Sequence, residues 1–258
     1  MAELHGSHTR IYANGLNISS LFREVECGRE RELVDTTAFA STDTEHIIAP
    51  ASSGMLSASG MIEVDPDTGV QVVKDMLDAA EDNTAGDDII VTMLRDTTIG
   101  DPGFGLLGST QQTRHSFPHT EVAKTSLQAK SNKALWVSAL HPLAARTAAH
   151  NSTGLDNTGS SAYGGLGFLT VTALSGTTPV LTAKLQHSSD STNGVDGAWV
   201  DLGTFATINA ASVAAGYADH EALTGTINRW VRINVAVTSG SLTSVTFAAQ
   251  FGRYNTNK

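Results

Sequence analysis

Between Phe22 and Phe39 the residue types sort by parity, as on a β-strand whose successive side chains point to opposite faces. Even positions carry Glu24, Glu26, Glu30 and Glu32; odd positions carry Val25, Cys27, Leu33 and Phe39, with Arg23, Arg29 and Arg31 among them. Four carboxylates therefore share one face of one strand. Beyond Ala40 the chain runs polar through Ser41, Thr42, Asp43, Thr44, Glu45 and His46, with no turn dipeptide. It returns as residues 46–50 and, past Ser52-Ser53-Gly54, as a second strand, MLSASGMIEV, ending at Val64. Two long strands joined by an exposed polar tongue over about residues 40–55 make a poor pocket. They make a good arm for gripping a neighbouring subunit.

The remaining pattern is also mostly of period two. Residues 9–18 read as a hairpin around Asn14-Gly15. Asp65-Pro66-Asp67 breaks the long ribbon, and Thr68 with Gln71 forms a capping-box pattern. Val70, Val73, Leu77 and Ala80 then fall on one helical stripe, with Asp75, Asp78 and Asp82 opposite, so a helix is expected over residues 68–82. Strands are expected at 89–94, 106–117, 122–130 and 134–143. Residues 146–165, small, polar and Gly-rich, have a linker's composition. Short strands follow at 169–173, 181–186, 199–205, 229–237 and 245–251, with turns at Gly176–Pro179 and 239–241. The expectation is a mainly β chain: a β domain over 1–145 with one helix, a linker over 146–165, and a β-sandwich over 166–258. In that sandwich Trp199, Phe205, Val231, Ile233, Phe247 and Phe251 are expected in the core, and Arg229, Arg232 and Arg253 at strand ends or on the outer face.

Composition supports the all-β reading. Of 258 residues 40% are hydrophobic and only 16% charged, with 24 glycines and 6 prolines. The single cysteine, Cys27, has no partner for a disulfide within the chain. No apolar run approaches the ~20 residues of a membrane span, and the opening residues lack a signal-peptide core, so no membrane partner is expected. The net charge is −10, with 21 acidic and 11 basic residues before Ser161 against 5 and 5 from there on. So acidic a chain is poorly suited to holding a nucleic-acid backbone by charge neutralisation.

Candidate chemistry is sparse. Gly103, Gly105 and Gly108 fit G-x-G-x-x-G, but Asp101-Pro102 precedes them and no helical stripe follows, so a nucleotide site is not expected. His115 and His119 flank Pro118 without a third ligand. Asp190, Asn193 and Asp196 offer oxygens in one loop, without the glutamate that closes an EF-hand. No residues combine a nucleophile, a base and an orienting group. The expected chain is not an enzyme, and it has no catalytic residue, metal or cofactor.

Two stretches resemble the major tail tube proteins of long-tailed (siphovirus-type) bacteriophages. The first is the charged strand leading into Val34-Asp35-Thr36-Thr37-x-Phe39, with the small-residue strand at Leu56–Ile62. The second covers Gly164–Arg253. It contains Leu181–Asp190 (LTAKLQHSSD), Trp199-Val-Asp-Leu-x-Thr-Phe205, Asn228–Ile233 (NRWVRI) and Phe247-x-x-Gln-Phe-Gly-Arg253. The resemblance implies a tail-tube-type β-sandwich/barrel domain and a virion protein assembled in the host cytoplasm. It implies homo-oligomeric rings whose sheets form an inner barrel, stacked through the tongue, Ser41 to His46, and the terminal arms. It also implies contacts with a tape measure protein and with tail terminator or distal tail proteins, and passage of DNA without tight binding.

Within that reading Glu24, Glu26, Glu30 and Glu32 are expected to face the lumen, where carboxylates would repel phosphate. A competing account makes them a ladder paired with cross-strand arginines. Rings of six chains, or of three chains each supplying two tube-like domains, both remain open, as does the C-terminal domain's role as decoration or second tube domain. A different class of function also fits the second half: a β-sandwich for binding or adhesion, to carbohydrate or as a virion decoration, with Trp199, Trp230 and Tyr217 as ring-stacking residues. Exposed tryptophans would favour adhesion, and buried ones the tube.

Overall fold

The computed structural model describes residues 8–35, 46–61, 89–95, 98–108, 110–116, 119, 124–131, 133–214 and 216–254. Within these, the side chains of residues 21, 31–35, 46–52, 61, 89, 108, 110–113 and 115 are outside the description. The described strands are β1 (Thr9–Ala13), β2 (Leu16–Asn17), β3 (Glu24–Asp35), β4 (His46–Met61), β5 (Ile89–Arg95), β6 (Pro102–Gly108), β7 (Thr110–Ser116) and β8 (Lys124–Ser131). They continue as β9 (Lys133–Arg146), β10 (His150–Asn151), β11 (Leu155–Asp156), β12 (Gly165–Ser188), β13 (Val200–Thr204), β14 (Ile208–Asn209), β15 (Tyr217–Leu223) and β16 (Trp230–Arg253). One short α-helix, α1 (Ala210–Ala214), is described. The mainly β expectation holds, and the described strand pairs are antiparallel. The helix expected at 68–82 lies outside the described residues.

The chain forms two compact units, one of Met1–Ser20, Ile90–Gly105 and Leu135–Lys258, the other of Leu21–Ile89 and Leu106–Ala134. This division differs from the boundary expected at residues 145–166. Strands from the expected N-terminal domain join the same sheet as β12 and β16, in the order β13-β12-β16-β9-β6-β5-β1-β2. The expected linker does not run free either. β10 and β11 pair with β16, Ser161 bridges Ile227, and Gly159 O accepts from Arg253.

Two strands of 24 residues, β12 and β16, organise the first unit. They pair antiparallel from Gly165↔Arg253 to Ser188↔Trp230. Midway, register shifts cluster between Val171 and Leu181, and Gly176, Thr178 and Gly240 take φ values of 146°, 46° and 70°. The two segments expected to be separate turns thus face one another, Thr177 opposite Ser241, as one corner of a bent ribbon. A Cβ on Gly240 would lie 2.1 Å from the Thr178 carbonyl oxygen, so only glycine fits there. Before the corner β12 lies between β15 and the end of β16, which pairs with β9. Beyond it β12 lies between β13 and β14 on one side and the start of β16 on the other. Bending one ribbon this way makes two layers from two strands.

Residues from both halves of the ribbon enter one core: Leu169, Val171, Leu181, Leu185, Val231, Ile233, Phe247 and Phe251 are each at most 2% exposed. Full burial of each such side chain contributes about 1.5–3 kcal/mol. Of the core expected from sequence, Phe205, Val231, Ile233, Phe247 and Phe251 are buried, while Trp199 is half-buried. The Asn14-Gly15 hairpin is present, with φ of 45° and 85° closing Ala13 against Leu16. The G-x-G-x-x-G glycines belong to β6 rather than to a phosphate-binding turn. There a Cβ on Gly105 would lie 2.2 Å from the Phe168 ring.

The second unit is built on a four-stranded sheet of order β3-β4-β8-β7, every neighbouring pair antiparallel. Leu56, Ala58, Leu127 and Ala129 are buried on one of its faces.

Candidate assembly surface

The register of the four-stranded sheet places side chains in rows across it, because directly opposed residues project to the same face. One row runs Glu24–Ser59–Ser126–Arg114, and the next Glu26–Ser57–Gln128. Further rows hold Gly28–Met55–Lys130 and Glu30–Ser53, and on the other side of Glu24 comes Lys124–Ser116. Glu24, Glu26, Glu30, Arg114, Lys124 and Lys130 are all exposed. Val25 and Cys27 alternate onto the opposite face, opposed to buried Ala58 and Leu56. Burial pushes the Cys27 thiol pKa up.

The parity reading thus brings Glu24, Glu26 and Glu30 together on one exposed face. Glu32 falls in the register shift between Arg31 and Leu33, and its side chain is outside the described set. What parity missed is the other half of the face. Arg114, Lys124 and Lys130 stand on the same side, so the described surface is graded, acidic at β3 and basic at β8 and β7. Of the cross-strand arginines in the competing account, Arg114 shares the Glu24 row from three strands away, while Arg29, on β3 itself, alternates with Glu30 and projects from the opposite face. A trough of about 500 Å³ lies between the two charged margins, lined by Glu24, Glu26, Ser57, Ser59, Arg114, Ser126 and Gln128. Its floor is hydroxyl and amide: Ser59 Oγ donates to Glu24 Oε2 at 3.4 Å, and Gln128 Nε2 lies 3.3 Å from Met55 Sδ. Of the expected tongue, Ser41, Thr42, Asp43, Thr44 and Glu45 lie outside the described residues. His46 opens β4 opposite Asp35, and the strand continues through what was expected to be the end of the tongue.

In the first unit the candidate features are consumed by the fold. Asp196 accepts from Thr192 N and Oγ1 at 2.8 and 2.6 Å and from Ser191 Oγ at 2.8 Å, which holds its carboxyl far below the usual range. Asp190 accepts from Ser188 Oγ at 2.6 Å and Ala198 N at 2.9 Å. Both carboxylates are thus spent on shaping their own loop. Among the described residues no group of three His, Cys, Asp or Glu is placed to hold a metal. Trp230 and Tyr217 are buried at 7% exposure. The Trp199 ring carries Arg232 4.1 Å from its centroid, and a Cβ on Gly154 would lie 2.6 Å from that ring. Trp230 and Tyr217 thus offer a sugar no open face and Arg232 lies over the half-buried Trp199 ring, whereas Trp136, not among the three, is 52% exposed.

The three arginines expected at strand ends act within the chain. Arg229 makes a two-pronged pair with Asp156 at 2.7 and 2.6 Å, which holds the Asp156 pKa down to about 2. Arg232 Nε donates to Gln186 Oε1 at 2.9 Å. Arg253 donates to the carbonyls of Gly159, Asn228 and Arg229, tying the 146–165 segment to the start of β16. Arg253→Ala should lower the unfolding free energy by about 2 kcal/mol, because charge-assisted bonds to three carbonyls are lost. Lysine should restore little, since a single ammonium does not span the fork. Urea denaturation of the two variants checks this; full stability of the alanine variant would show the clamp to be idle.

Sequence reasoning passed over His141, which is 1% exposed. Its only signal was a lone imidazole in the apolar run 134–143. Arg146 Nε, which can only donate, lies 3.0 Å from His141 Nε2. Nδ1 therefore carries the hydrogen and donates to Phe247 O at 3.2 Å. The ring stacks on Phe247 at 4.2 Å, with His150 edge-on at 4.9 Å. Burial first, then the nearby Arg146 and His150, lower the His141 pKa to about 4.

No protein-family model matches this chain, and no curated protein matches it. Among solved structures it is similar to the SPP1 Dit protein, described as a paradigm of the hub adsorption apparatus in phages infecting Gram-positive hosts. The identity is 12% and the TM-score 0.38, over 94% of this chain and 98% of that one. It is also similar to chains of gene transfer agent particles. One is from a native virion, at 14% identity and TM-score 0.33; the other is from the tail of an empty particle with C6 symmetry, at 18% and 0.31. Each covers 50% of this chain and 94% of its own. These scores fall short of a shared fold, and the functional reading stands on the chain's own residues.

Proposed function

We propose that this chain is a structural virion protein whose copies close into rings and stack into a phage tail tube, the conduit for DNA at ejection. The observation that carries the reading is the four-stranded sheet, which has one buried face, one polar exposed face and, among the described strands, two outer ones, β3 and β7. Outer strands present unpaired backbone groups, a ready template for another chain. Joining such sheets in a ring gives a closed barrel with the polar face inward, and Glu24, Glu26, Glu30 and Glu32 then belong to the lumen side. Charges of both signs over a hydroxyl and amide floor give phosphate little net hold, so DNA passes without adhering. The tongue, Ser41 to His46, stacks one ring on the next. A tape measure protein in the lumen and terminator or distal tail proteins at the tube ends complete the assembly. The ring holds six chains, or three with doubled domains.

Negative-stain microscopy of the concentrated protein, held for days at neutral pH, tests the reading. Hollow tubes or rings with a pore wide enough for duplex DNA are expected, and their rotational symmetry counts the chains. A persistent monomer that binds glycans in a screen would overturn the tube in favour of an adhesion module.

A further inference from the structure

We infer that the charge gradient across the four-stranded sheet is a joining code for a second copy of this chain. The carboxylate margin on β3 docks beside the cationic margin on β7 and β8 of the next copy. The inference rests on the ring-forming reading above and adds what selects the joint.

The first observation is directional. β3, β4, β8 and β7 are successively antiparallel, so β3 and β7 run opposite ways. Copies in a ring share one direction along its axis. A β3 laid beside the next copy's β7 therefore extends the sheet antiparallel, with the polar face kept on one side. An odd number of strands would have forced a parallel joint.

The second observation is electrostatic. Glu24 and Arg114 sit in one row but at opposite margins, roughly 14 Å apart at three strand spacings. They do not pair with each other, and among the described residues none of Glu24, Glu26, Glu30, Arg114 and Lys130 makes an ion pair. At a joint one strand spacing of ~4.8 Å separates β3 from β7, which brings Glu24, Glu26 and Glu30 within reach of Arg114 and, one strand further, Lys130. The alternative joints, β3 to β3 and β7 to β7, set like charges side by side. The gradient thus favours a head-to-tail, ring-closing contact over a two-fold dimer.

Two variants test it. E24K/E26K/E30K makes both margins basic, and R114E/K130E makes both acidic; all five positions are exposed, and circular dichroism with thermal unfolding checks that each variant folds. Each alone should need roughly a hundredfold higher concentration than the unaltered chain to associate, as expected for like charges facing at every joint. An equimolar mixture should regain association, because every basic margin then meets an acidic one. Light scattering follows the mixing, and high salt should weaken the mixed species. Either folded variant associating alone as the unaltered chain does, or a mixture no better than its parts, overturns the inference. The ring-forming reading fails separately: variants that pair with each other, beside an unaltered chain showing no hollow rings, would remove the tube and leave the complementarity.

Discussion

Replacing Phe247 by alanine should lower the stability of the first unit by about 3–5 kcal/mol, the range for deleting a large aromatic ring from a packed core. Phe247 is 1% exposed and lies in the cluster shared by the two layers. Its ring also supports His141 and, at 6.3 Å, the edge of His150. Deletion therefore leaves a cavity between elements that cannot collapse independently, because β12 and β16 pass through both layers. Phe247→Leu, which keeps most of the volume, should cost less than about 1.5 kcal/mol. Trp136→Ala is the useful contrast: that ring is larger but 52% exposed, touching Phe104 edge-on at 5.1 Å, and its loss should cost much less. Equilibrium denaturation in guanidinium reads all three. An alanine variant within 1 kcal/mol of the parent would mean that the two layers do not share this core.

The sequence was legible where chemistry is local and opaque where pairing is distant. Asn14-Gly15 announced its hairpin because left-handed backbone at two successive residues is a property of those residues alone. The period-two signal placed β3, β5, β8 and most of β9. It also set Glu24, Glu26 and Glu30 on one face, since parity survives whatever a strand pairs with. Parity says nothing about neighbours, however, so Arg114, Lys124 and Lys130 joining that face was invisible until β7 and β8 were placed beside β4. The same blindness split two strands. Gly176–Pro179 and Ser239-Gly240-Ser241 carry turn residues, and a sequence does not distinguish a chain that reverses from two chains bending together at a corner. Residues 146–165 have a linker's composition because β10 and β11 contribute backbone pairing rather than buried side chains. The expected linker was thus wrong in its role though right in its polarity. The resemblance to tail tube proteins named a class of assembly, whereas the graded sheet is a feature that neither the resemblance nor composition contained.

Stability should fall as the pH is lowered from about 6.5 toward 4, and His141 should account for much of the loss. In the fold its pKa is lowered from 6.5 to about 4, by burial and then by Arg146 and His150. Within that window the unfolded chain takes up a proton at His141 and the folded chain does not. The unfolded state then binds more protons, so the stabilising contribution is complete above the unfolded value and is lost as pH falls toward the folded one. The shift corresponds to about 3 kcal/mol at most. Protonation would cost the Nε2 acceptor that Arg146 uses and place a cation among Arg146 and His150. His150 and His187 are also lowered by burial and act with the same sign. A substitution is therefore needed to isolate His141. His141→Gln should be less stable at pH 7.5, yet the drop between pH 7.5 and 4.5 should shrink by about 2 kcal/mol. Urea denaturation at a series of pH values measures both. An unchanged slope in the glutamine variant would assign the acid sensitivity to His150 and His187 instead, and a steeper one would mean that His141 is charged in the folded chain.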